Sequence, residues 1–134
     1  MAMKRREPRK AVDFYEQQLA IAREIGNRRG EGWALGNLGV ANDNLGEPRK
    51  ANAYYEQAVA ILGEIGDRRN EGIHLYNSAV ALDKLGDRAQ AIARAGLALK
   101  MFEDLEHPDV GKVRAKLEEW KGGGEGGEIK KEEG

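Results

Sequence analysis

The feature that most constrains the fold is an internal repeat of 40 residues. Residues 7–46 and 47–86 match at this fixed offset, with 24 of the 40 aligned positions identical. Unrelated segments of ordinary composition would share about two or three. A period between 20 and 50 residues is typical of stacked supersecondary units, each of which buries its apolar face on the next. We therefore expect a stack of repeats rather than one globular core.

The apolar residues of the repeats follow a helical period. In the second repeat they step by three and four positions, which places them on one face of one helix. No run alternates polar and apolar residues as a strand does. Glycines that follow the last apolar residue of a stretch predict helix ends, and prolines that follow an acidic residue predict helix starts. The residues concerned are Ala51, Tyr54, Tyr55, Ala58, Val59, Leu62 and Ile65 for the apolar face, Gly26, Gly46, Gly66 and Gly86 for the ends, and Pro8 and Pro48 for the starts.

These signals predict an all-α fold, an α-solenoid of antiparallel helix pairs. Short connections make neighbouring helices antiparallel. The composition of residues 122–134, which are Gly, Glu and Lys with one apolar residue, predicts a disordered tail. We expect a flexible N-terminus over residues 1–7 and a repeat domain over residues 8–121. The six helices are expected at 8–25, 30–45, 48–65, 70–85, 88–105 and 109–120.

The third unit is degraded, because Ala95 stands where Tyr15 and Tyr55 stand in the first two. The last helix carries apolar residues on one face, with an alignment to the earlier units that stays open by one residue. We interpret it as a cap that covers the end of the stack. The residues of that face are Val110, Val113, Leu117 and Trp120.

With Asn37-Leu38-Gly39 in one helix, the turn residue Gly46 and the aromatic Tyr55 in the next, residues 35–61 resemble a tetratricopeptide repeat, and the resemblance extends over about residues 8–105. Its length of 40 residues exceeds the common 34 and is similar to the longer repeats of kinesin light chains and of cortical-polarity scaffolds that bind G-protein subunits. Two positions depart from the family pattern, Asn42 in place of an aromatic or aliphatic residue and Ser78 in place of leucine, and both are expected to loosen a helix pair. The matching residues are Asn37, Leu38, Gly39, Ala41, Gly46, Ala51, Tyr55 and Ala58, followed in the next unit by Asn77, Ala79, Ala81, Leu82, Gly86, Ala91 and Ala98.

The resemblance implies a protein–protein interaction module, because in this family the first helices of successive units line a concave groove that binds peptides. The residues expected on that face step by three and four positions, so they also share one helix face physically. An asparagine amide pairs with the main chain of any peptide, and aromatic residues serve as anchors. The predicted peptide-binding residues are Trp33, Asn37, Val40 and Asp43 of one unit and Ile73, Tyr76, Asn77, Val80 and Lys84 of the next.

Two alternatives stay open for this face. The asparagines can stabilise the repeat itself, and the apolar residues can pack within the superhelix. The lysine and asparagine of the family's two-carboxylate clamp are replaced by Gly36 and Val40. We therefore expect a mostly apolar peptide, with one basic residue near Asp43 or Asp83, rather than an acidic C-terminal tail.

The rival hypothesis is a structural unit that self-assembles. The helix predicted at 8–25 resembles the second helix of a repeat, and no first helix is predicted before it. Part of its apolar face, which includes Val12, Tyr15 and Ile21, is therefore expected to be exposed. Exposed apolar patches usually mark interfaces. We predict that a homo-oligomer would form through Phe14 and Leu19 of this helix.

The composition argues against several other classes of function. The chain has no cysteine, which excludes disulfides, thiolate catalysis and thiolate zinc sites. Its two histidines, His74 and His107, have no nucleophile pattern nearby, so we expect no enzyme, no metal and no cofactor. A net charge of −1 with mixed signs lacks the basic field of a nucleic-acid-binding protein. No apolar run approaches the length of a membrane span, and we expect a soluble, cytoplasmic protein.

Overall fold

The chain folds into six α-helices and, over the residues described, no strand. The computed structural model describes residues 2–122, with side chains from Arg9 onward, and the predicted disordered tail beyond residue 122 lies outside them. The all-α prediction is confirmed. The helices are α1 (Ala2–Ile25), α2 (Arg28–Asn44), α3 (Pro48–Glu64), α4 (Arg68–Lys84), α5 (Arg88–Leu105) and α6 (Val110–Lys121).

The first helix begins earlier than its sequence predicts. Helix α1 starts at Ala2 and continues through Pro8, whereas the equivalent Pro48 is the first residue of α3. Proline has a backbone φ that suits a helix, and within a helix it forgoes one main-chain hydrogen bond. Proline therefore marks a helix start in the second unit only.

The helices pack in chain order, which is the architecture of a solenoid. Each of the five consecutive pairs, from α1 with α2 to α5 with α6, is in extensive contact. In the phase of the tetratricopeptide repeat that the sequence resembles, each helix pair has a first and a second helix. The first helices, which we call first-type, are α2 and α4, and the second helices, which we call second-type, are α1, α3 and α5. One apolar cluster joins α1, α2 and α3, and another joins α4, α5 and α6.

The predicted helix ends are confirmed by the backbone. Gly26, Gly46, Gly66 and Gly86 all have a positive φ, between 73° and 89°, which is the left-handed conformation that glycine adopts without strain. Three helices then begin with an acid or amide whose side chain accepts a hydrogen bond from the backbone N–H three residues on. These capping residues are Asn27 for α2, Asp67 for α4 and Asp87 for α5.

The structure fixes the register of the last helix. The backbone N–H groups of Asn27, Asp67 and His107 each donate to the carbonyl five residues earlier, at 2.8, 2.9 and 2.8 Å. These residues are spaced by 40, so the period continues into α6. Glu106 takes the left-handed conformation, with φ 54°, at the position of Gly26 and Gly66.

His107 replaces the capping acid or amide at this third connection. Its Nδ1 accepts a hydrogen bond from the backbone N–H of Asp109 at 3.0 Å. The imidazole stacks on Phe102, with ring centroids 4.3 Å apart, and is buried. The ring thus accepts a hydrogen bond within the connection and extends the core, whereas the N-cap of α6 is Asp109, whose side chain makes no capping hydrogen bond.

Helix α6 covers the end of the stack, as predicted. Val113, Leu117 and Trp120 are all buried against residues of α4 and α5. Because α6 keeps the 40-residue period, Val113 occupies the position of Ile73. Helix α6 is therefore the first helix of a third pair, and its packing buries part of α4.

The two departures from the family pattern are both buried, and their polar groups are satisfied differently. Ser78 donates to Asn52 Oδ1 at 2.5 Å and accepts from Arg94 Nη1 at 2.7 Å, so it links α3, α4 and α5. Asn42 donates its Nδ2 to the carbonyl of Leu38 within its own helix, at 2.8 Å. Asn42 also lines two surface cavities, of about 300 and 360 Å³, near α1 and α3. The helix pair is thus less filled at Asn42, whereas Ser78 sits in a polar network.

Candidate functional site

A cavity of about 300 Å³ lies where α2, α3 and α4 meet, on the face predicted to be concave. Side chains from both first-type helices form its walls, and α3 contributes Leu62. Its size matches the lower end of ligand-binding pockets in proteins. The lining residues are Arg29, Gly32, Trp33, Asn37, Leu62, Asp67, Asn70 and His74.

A glycine brings the floor of the cavity close to α2. A Cβ atom added at Gly32 would lie 3.2 Å from both Ile61 Cγ2 and Leu62 Cδ2. Such a distance is tighter than ordinary van der Waals contact, so the absence of a side chain permits this approach. The floor is consequently apolar and firmly packed.

His74 forms the inner wall and joins three helices. Its ring stacks on Tyr55 of α3, with centroids 5.6 Å apart and planes at 19°. A Cβ atom on Gly36 would collide with the imidazole, so His74 fits only because α2 has no side chain at that position. His74 is thus one point of contact between α2 and α4.

The imidazole of His74 is neutral at pH 7. Burial lowers its pKa to about 4, and the negative charge of Asp67 opposes that shift only in part. Asn77 donates its Nδ2 to His74 Nδ1 at 3.2 Å, which assigns the ring proton to Nε2. The amide of Asn77 is therefore engaged within the chain.

Asp43 is also engaged within the chain. The hydroxyl of Tyr55, whose ring packs against Gly39, donates to Asp43 Oδ2 at 3.1 Å. Lys84 lies 3.1 Å from the other carboxylate oxygen. Burial, followed by the charge of Asp43, raises the pKa of Tyr55. A basic residue of a ligand would have to compete with Lys84 for Asp43.

An ion pair lies at the mouth of the cavity. Arg29 Nη1 is 3.2 Å from Asp67 Oδ2, and Asn70 donates to Asp67 through both its side chain and its backbone N–H. The side-chain hydrogen bond from Asn70 leads the interactions that lower the pKa of Asp67, against the effect of burial. The mouth thus presents both charges without a strong net sign.

The predicted residues of α2 lie at the open part of this face. Trp33 is 51% exposed and Val40 is exposed, whereas Asn37 is half-buried at the cavity wall. No side-chain hydrogen bond joins Asn37 to any residue of the described chain, 2–122. Among the predicted asparagines it is the one whose amide is free.

The predicted residues of α4 lie in a more closed environment. Tyr76 is 9% exposed and belongs to the apolar cluster shared with α6, and Ile73 and Val80 are half-buried against the same cluster. The reason is the packing of α6, which covers this side of α4. The nine predicted residues therefore do not form one uniform exposed surface.

Sequence reasoning missed four polar residues of the cavity, namely Asp67, which precedes α4, and three residues on the helices themselves. Arg29, Asn70 and His74 line it, yet none was among the predicted binding residues. Steps of three or four positions back from Trp33 and Asn77 lead to all three of them. The helical period that identified the face could thus have found them, had it been followed one turn further.

The two residues predicted for self-association lie on different sides of α1. Phe14 is 52% exposed, but Leu19 is 8% exposed and packs in the cluster with Leu35 and Leu38 of α2. Five residues turn a helix by about 140°, so the two side chains cannot share a face. The exposed face of α1 includes Ile21 and Ile25 instead.

No group of three or more His, Cys, Asp or Glu side chains within residues 2–122 is placed to hold a metal ion. None of the helices in this part of the chain combines the length and apolar character required to cross a membrane.

A search of curated proteins finds no similar sequence. The model of the tetratricopeptide repeat family matches residues 1–64, which include α1, α2 and α3. The 40-residue period carries the same pattern through α4 and α5, and all six helices stack as such repeats do. The match, the internal repeat and the helical stack together support the assignment of this chain to the tetratricopeptide repeat family.

Proposed function

We propose that this protein is an interaction module that binds an extended peptide segment of a protein partner at the cavity between α2 and α4. Tetratricopeptide repeats generally mediate protein–protein interactions, and the family is a non-catalytic interaction module. We infer that this chain likewise works by binding and not by catalysis. The charge balance of the chain favours a protein partner over a nucleic acid.

The observation that carries the proposal is the free amide of Asn37. A half-buried amide without a partner in the chain is available to a ligand, and each hydrogen bond that replaces one to water contributes about 1 kcal/mol net. Asn37 lies at the wall of a cavity that is open to solvent. A peptide main chain supplies a donor and an acceptor, which are the two partners that a side-chain amide requires.

The apolar part of the cavity suits an anchoring side chain. Trp33 forms an exposed aromatic wall, and Leu62 and the backbone at Gly32 form the floor. Large apolar or aromatic side chains that fill such pockets contribute most of the energy of peptide interfaces. We propose that the ligand places one apolar side chain here while its main chain pairs with Asn37.

Charge has a small role in this proposal. Asp43 is paired with Lys84, and Asp67 is paired with Arg29. A charged ligand residue would displace an existing ion pair, which gains little at an exposed position. The preferred segment is therefore mostly apolar and carries no obligatory charge at these two sites.

The test uses two asparagines as a matched pair. Peptides selected against the whole chain from a phage-displayed random library are titrated by calorimetry into the wild type, Asn37→Ala and Asn77→Ala. We expect Asn37→Ala to weaken binding about tenfold, which corresponds to one hydrogen-bonded contact, and Asn77→Ala to leave affinity nearly unchanged. Equal affinity of Asn37→Ala and wild type, with helicity intact by circular dichroism, would contradict the assignment. A library that yields no binder would count against the function itself.

A further inference from the structure

We propose that the outer face of α1 is a self-association surface on which two copies of this chain pack with their first helices antiparallel. This face, which we name the α1 stripe, consists of Lys10, Phe14, Gln17, Ile21, Glu24 and Ile25. None of these residues lines the cavity of the proposed function. Phe14 contacts Tyr15, which packs edge-on against Trp33 of the cavity wall, so the charged residues Lys10 and Glu24 provide the variants that separate the two proposals.

The α1 stripe is a continuous exposed face with an apolar centre. Its members recur at intervals of four and three residues, so they fall within about 100° of one another around the helix. All of them are exposed, and Ile25 reaches 68% exposure. The opposite side of α1 is packed against α2 and α3 through Leu19. Large apolar residues grouped in this way are typical of an interface.

The repeat provides an internal control for how these positions are used. Ile21 is 52% exposed, whereas its equivalent in α3, Ile61, is 7% exposed. Ile61 is covered by α2, whose Gly32 lies close to the Ile61 side chain. The same position thus becomes buried when a helix lies across it, and no described helix lies across the α1 stripe.

The charged residues of the stripe show the same difference. Glu64 of α3 pairs with Arg28 of α2, but the equivalent Glu24 has no ion pair with any described residue. Lys10, at the other end of the stripe, also has none within the described part of the chain. The stripe therefore carries one unpaired charge of each sign, and the two lie fourteen residues apart.

The order of residues makes the stripe complementary to itself in one orientation. When two copies run antiparallel about a two-fold axis near Gln17, Phe14 lies opposite Ile21 of the second copy. Lys10 then lies opposite Glu24 of the second copy, so both unpaired charges gain a partner. A parallel arrangement would place each charge beside its like. Two-fold pairing is also the commonest symmetry of soluble oligomers.

The other end of the solenoid does not suit this surface. Helix α6 exposes the charged residues Lys112, Arg114, Glu118 and Glu119, of which Arg114 pairs with Glu103 and Glu119 with Lys116. Head-to-tail stacking would bury these charges against the apolar centre of the α1 stripe, and the desolvation of charged groups is costly even when they are paired. Contact between two α1 stripes avoids that cost, so the geometry favours a closed dimer over an open chain of copies.

The first experiment measures the mass of the whole chain by sedimentation equilibrium across a concentration series. We expect a monomer–dimer equilibrium in which Phe14→Asp raises the dissociation constant about tenfold or more, as loss of a central aromatic contact does. The matched control is Leu97→Asp, since Leu97 of α5 is 57% exposed and lies outside the stripe; its dissociation constant should equal that of the wild type. A monomer at every concentration, a dimer unaffected by Phe14→Asp, or growth beyond the dimer would overturn the proposal.

The second experiment tests the antiparallel orientation. Lys10→Glu and Glu24→Lys are each expected to weaken the dimer about twofold to fivefold, as exposed ion pairs do, and the double variant is expected to restore it. The residues are exposed, so circular dichroism should show unchanged helicity in all variants. A double variant as weak as the single ones would overturn the antiparallel pairing. Peptide binding at the cavity should be equal in all these variants, which separates failure of this proposal from failure of the proposed function.

Discussion

The two repeat units have the same backbone, but their first helices differ in what they leave open. In α2 the amide of Asn37 is free at a cavity, whereas in α4 the equivalent Asn77 donates to His74. The cause is His74, which stands where the first unit has Ala34. The same asparagine therefore has different hydrogen-bond partners in the two units.

Buried polar residues also differ between the units. The first unit has Leu38 and Asn42 where the second has Ser78 and Leu82, so each helix carries one polar residue at these two buried positions. Ser78 forms hydrogen bonds to two neighbouring helices, but Asn42 forms one only within its own helix. A helical repeat thus tolerates a polar residue at a buried position when a hydrogen-bond partner or a cavity lies beside its side chain.

The largest predicted effect is the loss of stability on truncation of Tyr55, whose equivalent in the third unit is Ala95. Tyr55→Ala would leave a cavity beside Gly39 and remove the ring on which His74 stacks. We expect the free energy of unfolding to fall by about 3–5 kcal/mol, as for other buried aromatic residues, when measured by urea denaturation. Tyr54→Ala, at a half-buried neighbour, serves as the control and should cost less. Equal losses would mean that Tyr55 does not hold the two units together.

The second prediction concerns pH and the histidine that the first unit lacks. The pKa of His74 is about 4 in the folded state against about 6.5 in the unfolded chain. Between these values the unfolded chain binds a proton that the folded chain does not. The stabilisation is thus complete above pH 6.5 and is lost as the pH falls towards 4, by up to about 3 kcal/mol.

Urea denaturation at pH 7 and pH 5 checks this prediction. The lowered pKa of Asp67 acts below this range, so it adds little to the difference. The His74→Ala variant should lose less stability between the two pH values than the wild type does. The same loss in both proteins would exclude His74 as the cause.

The third prediction tests the glycine that makes room for His74. Gly36→Ala would force its Cβ atom into the imidazole, and overpacking of this kind costs about 1–3 kcal/mol. In the double variant with His74→Ala the cost should vanish. Gly96→Ala is the control, because nothing lies within 4 Å of a Cβ atom at Gly96, and it should stabilise α5 by up to about 1 kcal/mol. Additive losses in the double variant would show that Gly36 and His74 are not coupled.

The smallest effect compares the two asparagines as structural residues. Asn77→Ala removes the hydrogen bond to His74 Nδ1 and should lower the free energy of unfolding by about 1 kcal/mol. Asn37→Ala removes no hydrogen bond among the described residues, so its effect should stay within about 0.5 kcal/mol. Thermal denaturation of both variants measures the difference. A larger loss for Asn37→Ala would show that its amide supports the fold.

Much of the fold could be predicted because the helix signals are local. Apolar spacing and the recurrent glycines placed five of the six helices within two residues of their observed bounds. The exception is α1, which extends through Pro8, where local rules favoured a start. The register of α6 needed the backbone hydrogen bond of His107, because its sequence has diverged from the other units.

The candidate site was predictable only in outline. The helical period identified the face that holds Trp33 and Asn37, but it could not show that α6 covers Tyr76. The helical period also could not show that His74 would accept a hydrogen bond from the amide of Asn77, since the position of the His74 ring depends on the missing side chain at Gly36. Leu19 was misplaced for a simpler reason, because its angle around α1 already separates it from Phe14.

The sequence alone determined that this protein is a stack of antiparallel helices in 40-residue units, since periodic apolar residues and left-handed glycines act within one helix or one turn. The tertiary structure decided that the amide of Asn37 is without a partner whereas that of Asn77 is hydrogen-bonded. It also decided that Tyr76 is buried whereas Trp33 is exposed, and which face of α1 is exposed. The physical reason is that exposure and hydrogen-bond partners depend on neighbouring helices, whose side chains at each contact differ although the backbone repeats.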